Sequence, residues 1–352
     1  MSASAPPRND SARDAGAPAP RARSWWSRWG WTVRWGGTAL GVAYVIRIVD
    51  LASLRSASAH VRLGTLIAAL AVTALGLVFG AVRWRVLLRA YGAPARPALV
   101  EAIRLYFIAV FYNTYLPGGV AGDLLRGVVT RDSFGEGGAT EAIAVVLVER
   151  ALGLLGVVGL AALGLLAVGD RVADTGGLWM WSGAAGAFAI VAVLMLPLAR
   201  RLARLLPRRL AALAARLPGV SRPLDFLSAA ALSVLTQLVA AISGWLFLRD
   251  FYPGVTFLDA LFIVPLALAT TFLPITVGGA GAREAVFITL CGELLGMPSG
   301  DALAVSLLVW LTSLVAGAVG GLLQLLGGAS APRREPPSGE PGPSAAARPP
   351  SR

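Results

Sequence analysis

Leu63 to Val82 is an apolar run without a single charge, followed at once by Arg83, Arg85 and Arg89. About 20 such residues are what a helix needs to cross the hydrocarbon core of a bilayer, and no soluble fold calls for a segment this uniform. Further runs of this kind cover Ala151 to Val168 (extended backwards through Ala139), Leu178 to Leu198, Phe226 to Leu248 and Ala302 to Leu326. A weaker one spans Trp31 to Val49, where Arg47 has to snorkel. Composition agrees: 56% of the 352 residues are hydrophobic and 14% charged, with a mean hydropathy of +0.70, against about 25% charged in ordinary soluble domains. General disorder is excluded by this hydrophobicity, and a disulfide scaffold by the single cysteine, Cys291.

The charge is +12, and every basic residue is an arginine. Nucleic-acid binding is not expected, because the arginines sit in short connections between apolar runs instead of forming a basic face. They read as markers of the cytoplasmic side. Arg83 to Arg96 is one such region, and Arg200 to Arg222 is a stronger one; Asp170, Arg171 and Asp174, then Arg249 and Asp250, mark the outer side. Residues 1–30, rich in Ala, Pro, Ser and Arg, read as a disordered tail, followed by an interfacial cluster of Trp25, Trp26, Trp29, Trp31 and Trp35. A cleaved signal peptide ending near Ala57-Ser58-Ala59 is the competing reading of this region. A Pro-rich tail, 328–352, closes the chain. Both termini are expected in the cytoplasm of a bacterial cell, the all-arginine, Ala- and Gly-rich usage hinting at a GC-rich genome.

Crossing parity then singles out two surplus apolar segments, Ala98 to Leu116 and Ala260 to Gly296. Each is interrupted by nearly the same string: Thr114-Tyr115-Leu116-Pro117-Gly118-Gly119-Val120-Ala121-Gly122-Asp123 in one, and Thr271-Phe272-Leu273-Pro274-Ile275-Thr276-Val277-Gly278-Gly279-Ala280-Gly281 in the other. Arg126 and Arg283 follow. Proline removes an amide donor and glycine favours non-helical backbone, so each segment reads as a re-entrant hairpin turning at Pro117, Gly118 and Gly119, or at Pro274, Gly278 and Gly279. Such backbone is tolerated at membrane depth only against protein or a watery cavity. The expected fold is therefore an all-α polytopic membrane protein. It has about six transmembrane helices plus two broken-helix hairpins in an inverted repeat, with repeat one near 63–168 and repeat two near 226–326 of a domain covering 31–327. Transporters place their sites at such junctions.

Ionisable residues inside these segments need partners or water, since an unpaired charge at the centre of a membrane helix costs about 2.5–3.5 kcal/mol. Asp123 and Arg126 are spaced to share a helix face, as are Glu101 and Arg104. Glu149 and Arg150 diverge by about 100° around a helix and should find partners on different segments. The expected pairs are Arg150 with Asp123 and Glu149 with Arg126. Two roles are open: ion pairs that lock the hairpins, or a polar cavity for an anionic or zwitterionic head group, aided by helix N-termini after Gly119 and Gly279.

Several of these strings occur together in one known family. Phe111 to Arg126, with Asn113, Leu-Pro-Gly-Gly and Gly-Asp-Leu-Leu-Arg, is followed by Val148-Glu149-Arg150-Ala151-Leu152-Gly153, then Leu273-Pro274 and Gly278 to Glu284. In this order they resemble the flippase-like membrane domain of lysylphosphatidylglycerol synthase and its stand-alone bacterial relatives, over about residues 35–327. The resemblance implies a lipid flippase or flippase-like transporter with membrane lipids as partners, and Asn113, Asp123, Arg126, Glu149, Arg150, Arg283 and Glu284 as its substrate-binding positions. Two-domain members carry a soluble aminoacyl-transferase domain after the membrane part; here a Pro-rich stretch follows Leu326, so that chemistry is not expected.

No catalytic set stands out. A lone His60 builds neither a metal site nor a triad, Cys291 reads as a small buried hydrophobe, and a phosphate-binding loop motif is absent. No cofactor or metal is expected. Two other function classes stay open: an integral-membrane enzyme using Asp123 and Glu149 on a lipid-linked substrate, and a non-transporting subunit that partners envelope-assembly proteins. The oligomeric state and the lipid moved are not readable from the chain.

Overall fold

The computed structural model describes residues 61–116, 119–135, 138–172, 219–272 and 279–328. The spans expected at Trp31 to Val49 and Leu178 to Leu198, His60, both tails, the arginine-rich connection up to residue 218, and the turn residues Pro117, Gly118, Pro274 and Gly278 lie outside the described residues. What is described is all helical, without strands.

Among the described residues, four helices are long and apolar enough to cross a membrane: α1 (Leu63–Ala90), α4 (Ala139–Val172), α5 (Pro223–Phe251) and α8 (Ser299–Gly328). At about 1.5 Å per residue each exceeds 40 Å, more than a hydrocarbon core of about 30 Å. Between them lie four shorter helices: α2 (Leu99–Tyr115), α3 (Ala121–Val129), α6 (Phe257–Ala269) and α7 (Ala282–Leu295). The longest of these, α2, has 17 residues, about 25 Å. Their ends follow from local chemistry. α2 stops at Leu116, ahead of a proline that disfavours helical backbone in the residue before it. α6 starts in a capping box in which the Thr256 hydroxyl accepts from the Asp259 amide and the Asp259 carboxylate accepts from the Thr256 amide. α7 ends on Gly296 in the left-handed region.

Both interrupted segments fold back on themselves. α3 packs against α2 so closely that a Cβ on Gly122 would sit 1.9 Å from the Ala109 carbonyl oxygen. α6 and α7 likewise pack together. The turn residues Gly119 and Gly279 have φ of +61° and +80°, a conformation that costs glycine nothing and other residues about 1 kcal/mol or more.

The two halves are arranged head to tail. α1 and α5 run antiparallel along their whole length: the Arg62 amide donates to Asp250 at one end, Thr73 meets Ser243 midway, and Arg89 pairs with Asp225 at the other end. Each hairpin then crosses into the other half, α2 packing on α8 and α6 on α4. Both crossings rest on a glycine. A Cβ on Gly320 would lie 1.9 Å from the Phe107 carbonyl oxygen, and one on Gly164 would lie 2.5 Å from the Phe262 amide nitrogen. Small residues that let backbones touch are the usual means of packing helices where lipid removes the hydrophobic driving force. The hairpins open from opposite ends of the bundle, and an apolar cluster closes each end. Trp84, Leu87, Leu88 and Ala102, with Phe134 and Phe226, form one; Phe247, Phe262, Ile263, Phe287 and Leu303 form the other. Outward-facing Leu63, Leu166 and Leu325 are exposed apolar residues, as lipid contact requires.

The structure moves one boundary with consequences. Arg83 was expected in the connection after the first apolar run, but α1 continues to Ala90 and Arg83 is buried within it.

Gly320→Val should lower stability by about 1–3 kcal/mol through overpacking. Gly159→Ala on α4, where a Cβ meets open space, should be neutral or stabilising by up to about 1 kcal/mol; thermal melts of the detergent-solubilised protein compare them. In a Cys291→Ala background, Asp132→Cys and Glu293→Cys should react with an impermeant maleimide from opposite faces of sealed vesicles, and labelling of both from one face would contradict the opposed hairpins.

A charged cavity between the two broken segments

The first hairpin brings Asp123 and Arg126 onto one face of α3, one turn apart, and α4 runs antiparallel beside them carrying Glu149 and Arg150. The carboxylate of Glu149, 1% exposed, is reached by three donors from three helices. Arg83 Nη2 of α1 at 2.8 Å and the Tyr106 hydroxyl of α2 at 3.0 Å donate to Oε1, and Arg126 Nη1 of α3 donates to Oε2 at 2.7 Å. Asp123 accepts from Arg126 Nη2 at 2.6 Å and from Arg150 Nε, and Arg150 also donates to the Gly119 carbonyl at the turn. The Arg126 guanidinium is further held against the rings of Tyr106 and Trp84, at 4.6 and 5.1 Å from their centroids.

The expected pairs, Arg150 with Asp123 and Glu149 with Arg126, are therefore both present. The expectation that Glu149 and Arg150 reach different segments holds only in part. Glu149 also reaches α1 and α2, but both residues contact α3, because Asp123 and Arg126 present one carboxylate and one guanidinium at two successive levels of the facing helix.

These groups line a cavity of about 320 Å³. Asn113, Gly119, Asp123 and Arg126 come from the first broken segment, Thr271 and Phe272 from the second, and Arg83, Glu149, Arg150, Gly153 and Gln237 from the long helices between. Its volume is at the lower end of the range for small-ligand sites. Among the described residues lining it, three arginines face two carboxylates, leaving one net positive charge.

The other expected positions lie apart from it. Arg283 and Glu284, both buried, pair with each other on α7; Arg283 Nε donates to Ser306 at 3.3 Å and its guanidinium lies 5.8 Å from the Trp310 ring centroid. Neither lines the charged cavity. The helix N-termini are also less open than expected. Asn113 Oδ1 accepts from the Gly122 amide at 2.8 Å, and the Glu284 carboxylate accepts from the Gly281 amide at 2.6 Å. Glu101 and Arg104 form a partly exposed pair with each other.

Sequence reasoning missed Arg83, Tyr106 and Gln237. Gln237 carried a usable signal, as a polar amide in the middle of an otherwise apolar span. Arg83 did not, because an arginine at the end of an apolar run looks like a topological marker. Tyr106 depends on Gly80, where a Cβ would lie 2.6 Å from the tyrosine hydroxyl oxygen.

Removing one partner of a buried pair strands the other, at a cost of about 3–5 kcal/mol. Glu149→Ala should therefore destabilise the protein by that order in thermal melts. Exchanging Asp123 and Arg150 should lose less than either Asp123→Asn or Arg150→Gln.

Comparison with curated proteins returns no match. The sequence profile of the family described as Lysylphosphatidylglycerol synthase TM region matches residues 33–321, which include both hairpins and the whole charged network. The four apolar helices and this match make the chain a multi-pass membrane protein that belongs to the lysylphosphatidylglycerol synthase TM region family.

Proposed function

We propose that this protein is a lipid flippase or flippase-like transporter, which carries the head group of a phospholipid or lipid-linked compound across the bacterial cell membrane through the cavity between its two hairpins. The observation that carries the reading is the placement of the charged network. A purely structural lock could sit anywhere between packed helices, whereas this one lines a cavity of about 320 Å³ into which both broken segments project. Moving a charged head group through hydrocarbon is costly because nothing there replaces its water. Guanidinium and amide groups in a preformed cavity supply that replacement.

The residues divide the work by their exposure. Glu149 and Arg126, 1% and 4% exposed, fix the hairpin against α1 and α4. The Arg150 side chain keeps 30% of its surface open and is the guanidinium best placed to exchange the Asp123 carboxylate for an incoming anion. The re-entrant placement of the hairpins belongs to the same proposal, supported by helices too short to span and by the arginine bias that sets the Arg89 end of α1 in the cytoplasm. On this orientation both termini are cytoplasmic.

The test is reconstitution of the full chain in vesicles containing fluorescent lipids, with an impermeant reductant added outside. Inner-leaflet fluorescence should bleach faster than in protein-free vesicles, and Arg150→Gln should slow bleaching by about tenfold or more, the equivalent of one charged hydrogen bond. Bleaching at the protein-free rate would remove the proposal. A change in lipid mass would then favour the membrane-enzyme reading, and no change in either would favour an accessory subunit.

A further inference from the structure

A second cavity, of about 220 Å³, adjoins the charged one, and Arg83, Tyr106 and Gln237 line both. It lies between α1, α5 and α8, and at its far end the hydroxyls of Thr73 and Ser243 share a hydrogen bond of 3.2 Å. Ser243 stands eight residues before the end of α5, about 12 Å. A helix of 29 residues is about 43 Å long and overhangs a hydrocarbon core of about 30 Å by about 6 Å at each end. The hydroxyl pair therefore lies within about one helical turn of the boundary at the Arg62 end, the side that the arginine bias marks as outer.

Such a space suits water, since one molecule needs only about 10–15 Å³ and a few polar partners. The Gln237 amide and the hydroxyls of Thr73, Ser243, Thr312 and Ser313 supply them. Thr236 adds little, because it already donates to the Ser233 carbonyl and accepts from Arg83. Tyr106 stands between this water and the charged network. Its hydroxyl accepts from Arg83 Nη2 at 3.3 Å and donates to Glu149 Oε1 at 3.0 Å. A hydroxyl oxygen has two acceptor positions, so one stays open to the second cavity.

The groups around Glu149 decide where a proton can rest. Arg83 of α1, Tyr106 of α2 and Arg126 of α3 touch it. Asp123 on α3 and Arg150, its neighbour on α4, complete the charges; α5 and the second hairpin face this cavity with Gln237, Thr271 and Phe272, none of them ionisable. Asp259, Arg283 and Glu284 of the second hairpin line neither cavity. Arginine does not give up its proton in proteins, and the donors to Asp123 among the described residues are both guanidinium groups. Glu149 is thus the acid that the second cavity reaches through a group able to pass a proton on. A proton there acts on Arg126, which donates to Glu149 Oε2 at 2.7 Å. Neutralised, the acid loses its charge-assisted hold, and the guanidinium can turn to an incoming anion. Linkage makes the effect mutual: the anion favours the proton by the same factor.

Resting on the reading of the charged cavity as a head-group site, we infer that Glu149 is a proton site coupled to transport, reached from the outer side through the second cavity and Tyr106. In the transfer, water in the second cavity gives a proton to the Tyr106 oxygen as the phenolic proton passes to Glu149 Oε1. The tyrosine ends as it began, and the network gains one proton. Proton and head group travel in the same direction.

The experiment places the full chain in phosphatidylcholine vesicles carrying fluorescent phosphatidylglycerol, with an impermeant reductant outside at fixed pH and the lumen set to a series of pH values. Acidifying the lumen should speed bleaching by up to about tenfold per pH unit, because lipid then leaves with its proton down the gradient. Tyr106→Phe, which keeps the ring under Arg126, and Glu149→Gln should each flatten this dependence, and Thr73→Val combined with Ser243→Ala should weaken it. Asp123→Asn should slow bleaching at every pH but keep the slope. A wild-type rate that ignores lumen pH, a rate that falls as the lumen is acidified, or a full slope in Tyr106→Phe would overturn the inference. Bleaching at the protein-free rate would remove the transport reading, and the proton site is then decided in detergent. There a weakly buffered dye should report about one proton taken up per phosphatidylmethanol bound, a phosphodiester that does not itself titrate near neutral pH, and none with Glu149→Gln. No uptake by the unsubstituted protein would overturn the proton site as well.

Discussion

Glu149 sits where α1, α2, α3 and α4 converge, and it is the carboxylate that Arg83 pairs with and that Arg126 shares with Asp123. Arg83 and Arg126 both donate to its carboxylate, and neither guanidinium could remain in so apolar a setting without a negative partner. Because the donors come from three different helices, the single carboxylate fixes the first hairpin against the long helices around it. The net charge of the cavity is set by the same contacts, so the structure of the hairpin and the electrostatics of the site are one feature.

The inverted arrangement supplies the frame. α1 and α5 run antiparallel, and each hairpin crosses to the far half over a glycine contact, at Gly164 and at Gly320. Within that frame the halves have diverged in charge. The interval that carries Arg126 onto Arg283 also carries Gly122 onto Gly279 and Glu149 onto Ser306, and the Arg126–Glu149 ion pair has its counterpart in the Arg283–Ser306 contact. Repeat two keeps the geometry but satisfies its arginine with the adjacent Glu284, a neutral pair that also caps its own helix. Tyr106, facing Gly80, supplies a hydroxyl to the site; Val264 faces Gly244 in the second half with a plain apolar contact. A symmetric fold thus holds an asymmetric site: among the described residues lining the charged cavity, the charges come from the first hairpin and the long helices and none from the second hairpin.

Much of this was legible in the chain. Long apolar runs, the repeated Pro-Gly interruptions and the arginine distribution were enough to expect helices, two broken segments and their opposed directions, because each reflects a local cost: uncovered backbone, missing amide donors, charge in hydrocarbon. The pairing of Asp123 with Arg150 was also accessible, since charges in apolar segments must find one another and few candidates exist. Arg83 was not, because the end of a helix is not marked by the end of its apolar run. Arg283 and Glu284 carried the same substrate-binding expectation as Arg126 and Asp123, yet an adjacent carboxylate that folds back onto its own helix start leaves nothing to extend toward the cavity.

The sequence by itself determined that this chain is an α-helical membrane protein with two interrupted segments, since hydropathy and backbone chemistry act over a few residues at a time. Only the tertiary structure decided which charges share a chamber, that Arg83, Tyr106 and Gln237 join them there, and that one positive charge is left over among the described residues lining it. Those outcomes depend on which helix faces cross, and crossing is set by contacts between residues far apart in the chain, such as Gly320 with Phe107 and Glu149 with Arg83.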